Sequence, residues 1–120
     1  MDLIEAIDMV EKTYEFMLAY AAQGRVNDED TSRTGIRADL TRLVEALSVI
    51  GAAKLESEAA RKFLDVVCQD AAKASAAIGL VLSKPGISSQ AVDNLNASIH
   101  IRALLTDIFI LDETLKITGA

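Results

Sequence analysis

Tryptophan is absent from this 120-residue chain, and cysteine, histidine and proline each occur once. A single cysteine, Cys68, excludes an internal disulfide. Lying beside Val66 and Val67, it reads as a buried apolar site rather than an activated thiol. One histidine and one cysteine cannot furnish the ligands of a structural zinc site, nor the Glu-x-x-His pairs of a di-iron or di-manganese bundle. No metal is therefore expected. The six glycines are isolated and match neither the dinucleotide nor the P-loop spacing, which argues against nucleotide enzymes and leaves no cofactor to expect.

Basic charge is also scarce. Twelve Lys and Arg stand against eighteen Asp and Glu, for a net charge of -6 and a pI near 4.7. That is the wrong sign for a phosphate backbone, and no local basic cluster reverses it, so nucleic acid is not an expected partner. Neither is a membrane, because no basic amphipathic stretch is present and the longest uncharged run, Ala74 to Ser83, is ten residues. The start Met1-Asp2-Leu3 lacks the positive region of a secretory signal. These features together predict a cytoplasmic protein.

What remains is 51% apolar residues, rich in alanine, with only 4% aromatics, a composition that builds helices packed through aliphatic side chains. Apolar positions recur four and three apart at Leu3, Ile7, Val10, Tyr14, Met17 and Ala21, the signature of an amphipathic helix. Asp2 can cap its start and Gly24 can mark its end. Residues Arg25 to Gly35 lose the period and collect polar side chains, as a loop does. The period resumes at Ile36, Leu40, Leu43, Leu47 and Ile50, and again from Ala60 through Leu64, Val67, Ala71, Ala74, Ile78 and Val81 after a capping Ser57. Lys84-Pro85-Gly86 ends that third helix. Ser88 or Ser89 can cap a last helix that continues to a stop at Gly119.

The expected fold is all-α: a four-helix antiparallel up-and-down bundle in one domain over residues 1–120, with helices at roughly 2–23, 35–53, 57–84 and 88–118. Between Ile99 and Leu111 the apolar residues surround the last helix, including Ile101, Phe109 and Ile110. A helix apolar on every side calls for burial on every side. The expected cover is a second copy, giving a homodimer with Ile101, Leu105, Ile108 and Phe109 at its interface. The alternative cover is the Arg25–Gly35 loop.

His100 is the one candidate for chemistry, and helical spacing sets it on a polar strip with Asp93, Asn96, Ala103 and Asp107. In size and helix count this outline resembles histidine phosphotransfer domains, which implies phosphoryl relay through His100. The resemblance departs at the positions three and four beyond the histidine. Those domains usually carry basic or small residues there, and here they are Ala103 and Leu104. A third expectation comes from the small residues of the third helix. Tyr14 and Met17 opposite Ala74 and Ala77 could line a pocket for a small apolar ligand. The leading functional expectation is a non-catalytic bundle that acts by protein–protein association, as an adaptor or regulatory subunit.

Overall fold

The computed structural model describes residues 1–28 and 35–118, with side chains as far as residue 115. Among the described residues the chain is all-helical and has no strand. It comprises α1 (Leu3–Ala21), α2 (Ile36–Gly51), α3 (Glu58–Leu82), α4 (Ser89–Ala97) and α5 (Ile99–Thr118). The count is five helices and not four, because the expected last helix is two.

Helix starts follow local side-chain chemistry. Each helix leaves its first backbone N–H groups without an internal partner, and a short oxygen-bearing side chain at the N-cap can accept from one of them. Asp2 Oδ1 accepts from the Glu5 N–H at 2.8 Å, and the Ser57 and Ser88 hydroxyls each accept at 3.0 Å, from Ala60 and Ala91. Ser88 is thus the cap and Ser89 the first helical residue. Gly24 follows α1 at φ 66°, a left-handed conformation that a Cβ would strain. Lys84, Pro85 and Gly86 separate α3 from α4, while residues 29–34 and the expected stop at Gly119 lie outside the described residues.

One polar hub gathers the end of the molecule where α1 and α3 finish and α2 and α4 begin. Arg37, at the start of α2, donates to the carbonyls of Leu82 and Lys84 at 2.8 and 3.0 Å and pairs with Asp28 at 3.2 Å. Asp28 in turn accepts from the Ile87 N–H at 2.8 Å. The Tyr20 hydroxyl donates to the Ile87 carbonyl at 2.5 Å, and the Ser89 hydroxyl donates to the Tyr20 carbonyl at 2.7 Å. The chain therefore runs up α1, down α2, up α3 and back down through α4 and α5. α1 packs on α2 and α4, α3 packs on α2 and α5, and α1 and α3 do not adjoin. The body is elongated, 46 × 23 × 20 Å.

A single aliphatic core runs its length, including Ile7, Val10, Met17, Leu40, Ile50, Val67, Ile78, Val92, Leu104 and Ile108. Each such side chain contributes about 1.5–3 kcal/mol by leaving water.

The α4–α5 break changes which residues that core receives. Ser98 adopts an extended conformation (φ -61°, ψ 133°), and its hydroxyl accepts from the His100 N–H at 3.2 Å, as a cap for α5. Asn94, Asn96 and Ser98 are residues whose side chains compete with the helical backbone. Asn96 spends its amide on the Met17 carbonyl of α1 at 3.2 Å. Beyond the break the buried set restarts at Ile101, Leu104, Leu105, Ile108 and Leu111. At 100° per residue that face is turned roughly half a revolution from the Val92–Leu95–Asn96 face of α4. Ile99 would have continued the α4 face, and it is thrown outward, 75% exposed.

Candidate functional site

Three of the four residues expected at an interface are not on the surface. Ile101, Leu105 and Ile108 are buried in the core of their own chain, because the restarted period of α5 points them at α1 and α3. Phe109 alone is exposed. The loop that was the alternative cover is anchored elsewhere in its described part, with Asp28 held by Ile87 and Arg37.

The exposed apolar surface of α5 is instead its outer face, where Ile99 and Ile110 (51% exposed) stand eleven residues apart, or about three turns. Ala103 and Thr106 lie between them at helical spacing. On α3, Val66 and Leu80 are 42% and 64% exposed. Both helices reach this surface with their non-core flanks, so their exposed residues border one groove.

The floor of that groove holds an acid pair. Asp107 of α5 meets Asp70 of α3, with the protonated Asp107 carboxyl donating to Asp70 across the seam. Partial burial is the larger cause, and the hydrogen bond and charge of Asp70 add to it, pushing the Asp107 carboxyl up to about 6. Its Oδ2 is buried with no donor from another described residue beside it, which fits a carboxyl that carries its own proton towards Asp70. The pair also fixes the register. Because α3 and α5 run antiparallel, Val66 and Ile110 lie about 6 and 4.5 Å along the groove on one side of it, and Leu80 and Ile99 about 15 and 12 Å on the other. Lys73 stands one turn from Asp70 on the same flank, exposed and in no ion pair among the described residues. Two carboxylates fall short of a metal cluster, and among the described residues no three His, Cys, Asp or Glu side chains gather to hold one.

His100 is exposed in the first turn of α5. The strip expected around it does not assemble, because the break at Ser98 separates Asp93 and Asn96 from it and Asn96 is buried against α1. Three and four residues on, Ala103 is half-buried and Leu104 belongs to the core. The pocket candidates are split between non-adjoining helices. Met17 and Ala74 are wholly buried in the core, and Tyr14 and Ala77 are half-buried at its edge. Cys68 is half-buried and not fully enclosed, its sulfur 3.9 Å from the Gly51 carbonyl where α2 and α3 approach closely.

From the sequence Asp107 stands out only as a neighbour of His100 and Leu80 only as a flank of the third-helix stripe, while Asp70 and Lys73 carry no signal at all. The exposure of Val66 and Ile110 was legible as apolar residues off the core stripe. The meeting of Asp70 with Asp107 depends on how two helices are aligned, which no local pattern encodes.

No helix among the described residues is long and apolar enough to cross a membrane. No protein-family model, curated protein or solved structure matches the chain.

Proposed function

We propose that this chain acts by protein–protein association, as a non-catalytic adaptor or regulatory subunit in a cytoplasmic four-legged antiparallel bundle, and that it self-associates as a homodimer through the outer face of α5 together with α3. The observation that carries the reading is the exposure of Val66, Leu80, Ile99 and Ile110 along one groove. Large aliphatic side chains lined up on one face favour a partner, whereas scattered ones need no explanation. A face about 21 Å long and two helices, or about 20 Å, wide spans roughly 400 Å², half of the roughly 800 Å² that each partner of a standard interface buries, the size of a weak, concentration-dependent association.

Light scattering coupled to size-exclusion chromatography over a concentration range tests it. The native chain is expected to run as a dimer, and Ile99→Glu with Ile110→Glu as a folded monomer. Ile101→Glu serves as the contrast, since a charge in the core should unfold the chain rather than merely separate two copies. A native chain that stays monomeric at high concentration would overturn the reading.

Phosphoryl relay through His100 is the second reading, supported by the exposure of that side chain. It requires labelling by a phosphorylated receiver domain that is lost in His100→Gln. A pocket for a small apolar ligand is the third, and it requires uptake that Ala77→Leu blocks while the fold is kept.

A further inference from the structure

The last leg of the bundle is bent by one torsion of one residue. Ser98 already has the φ of a helix, -61°, and only its ψ, 133°, departs from the helical value of about -42°. No glycine or proline stands in residues 89–118 to enforce the break. The bend also carries costs. Asn96 Oδ1 is buried without a hydrogen-bond partner among the described residues, and Ile99 is 75% exposed.

Turned back to the helical ψ, Ser98 joins α4 and α5 into one helix with two apolar faces. At about 100° per residue, Ile99, Ala103 and Ile110 fall in phase with Val92 and Leu95. The stripe that α5 now exposes at Ile99 and Ile110 is therefore the continuation of the core stripe of α4. Ile101, Leu104, Leu105, Ile108 and Leu111 fall on the opposite side of the straight helix. In the bent chain those residues fill the core, where α5 packs on α3 and α1. A straightened chain both exposes them and empties the place they held.

The surface that fits this face is the place it leaves, and a second straightened copy has the same place empty. Two copies that exchange α5 restore each α5 contact with α1 and α3, supplied by the other chain, and one two-fold operation closes the pair. A hinge confined to one residue at a terminal element is the arrangement that favours such an exchange.

We infer that this chain forms a dimer by exchanging α5, with Ser98 as the hinge, so that the α5 of a second copy occupies the place between α1 and α3. The inference goes beyond the outer-face dimer proposed above. Self-association here reuses the contacts that close the protomer, and the in-phase Ile99–Ile110 stripe is what makes the straight α4–α5 helix accessible.

A cross-link that reports which chain supplies α5 tests it. In a Cys68→Ser background, Asp70→Cys with Asp107→Cys sets two thiols where α3 meets α5, and a short bis-maleimide joins them. The chain is refolded at high concentration and its dimer is isolated by size-exclusion chromatography. Bridging is expected to give covalent dimers on a denaturing gel from that fraction and single chains from the monomer fraction. A face-docked dimer keeps both thiols of each pair in one chain. A dimer that bridges only within single chains therefore overturns the inference and leaves the outer-face reading standing, and a chain that forms no dimer removes both.

Two substitutions at the hinge act in opposite directions. Ile99→Pro suits the bent chain, where residue 98 is extended and residue 99 opens a helix, and it opposes the straight one by removing the N–H that would bond the Leu95 carbonyl. It is expected to abolish interchain bridging while keeping native helicity by circular dichroism. Ser98→Ala removes the hydroxyl that accepts from the His100 N–H and supplies a strong helix former, and is expected to raise the exchanged dimer's association constant about tenfold or more. Interchain bridges that persist in Ile99→Pro, or a Ser98→Ala chain that dimerises no better than the native one, overturn the inference.

Discussion

Two hydrogen-bonded groups show how differently a polar side chain can bear on this fold. Asp107 shares its proton with Asp70 and is held up to about 6, against an ordinary 3.8. The folded protomer therefore binds a proton that the unfolded chain has released between about pH 4 and pH 6. Stability from this group is fully present below about pH 4 and is lost as pH rises through about 6. Asp107→Asn should remove that loss. Urea denaturation of dilute, monomeric protein is expected to find the variant about 1–2 kcal/mol more stable than the native chain at pH 7.5 and nearly equal at pH 4. This is below the full two-unit equivalent because the site is partly solvated. Equal stability at both pH values would mean that neither burial nor Asp70 raises the Asp107 carboxyl. Tyr20 contributes in the opposite sense, its hydroxyl donating to the Ile87 carbonyl in a buried hydrogen bond. Tyr20→Phe leaves that carbonyl unpaired and should cost about 1–2 kcal/mol by the same measurement, without altering helicity.

At the scale of elements, helix starts and most helix positions were readable because they depend on neighbours in sequence. Asp2, Ser57 and Ser88 cap as their side chains dictate, and Ser57→Ala is expected to cost about 1 kcal/mol in chemical denaturation through the lost bond to Ala60. The division of the last leg at Ser98 was not readable, since a continuous period can be drawn through Leu95, Ile99 and Leu104. What decides against that period is tertiary. Asn96 reaches the Met17 carbonyl only when α4 lies on α1, and the core then takes Ile101 and Leu104 in a new phase. The same event explains the apparent all-round apolarity of residues 99–111. The stretch mixes an inner face that serves the chain's own core with an outer face carrying Ile99 and Ile110. The expectation of a surface on this helix thus attached to the right element and mostly to the wrong side of it. Arg37 ties the elements together at the opposite end from the caps of α1 and α3, and Arg37→Lys should behave much like Arg37→Ala. A single ammonium cannot reach Leu82, Lys84 and Asp28 as the guanidinium fork does. Retention of native stability in Arg37→Lys would show that the fork is not what secures the hub.

For the molecule as a whole, the acid pair would couple the proposed association to pH, and the sign follows from how the pair responds to being covered. Asp70 on α3 is the charged group that raises Asp107, His100 lies two turns back on the same flank of α5, and α1 and α4 meet other sides of that helix. In a lone protomer Asp107 is therefore largely protonated below about pH 6. A second copy over the pair would remove more water from it and favour the protonated carboxyl, so forming the proposed dimer takes up protons and should weaken as pH rises from 5 to 7. The net charge of -6, which grows with pH and repels two copies, acts in the same direction but is long-ranged and fades in salt. Sedimentation velocity in about 0.15 M salt at pH 5, 6 and 7.5 is expected to give a dissociation constant that is level below about pH 6 and rises above it. Asp107→Asn should abolish that slope while leaving the apolar contacts in place. A native dissociation constant that stays level or falls across this range would mean that association does not cover the acid pair.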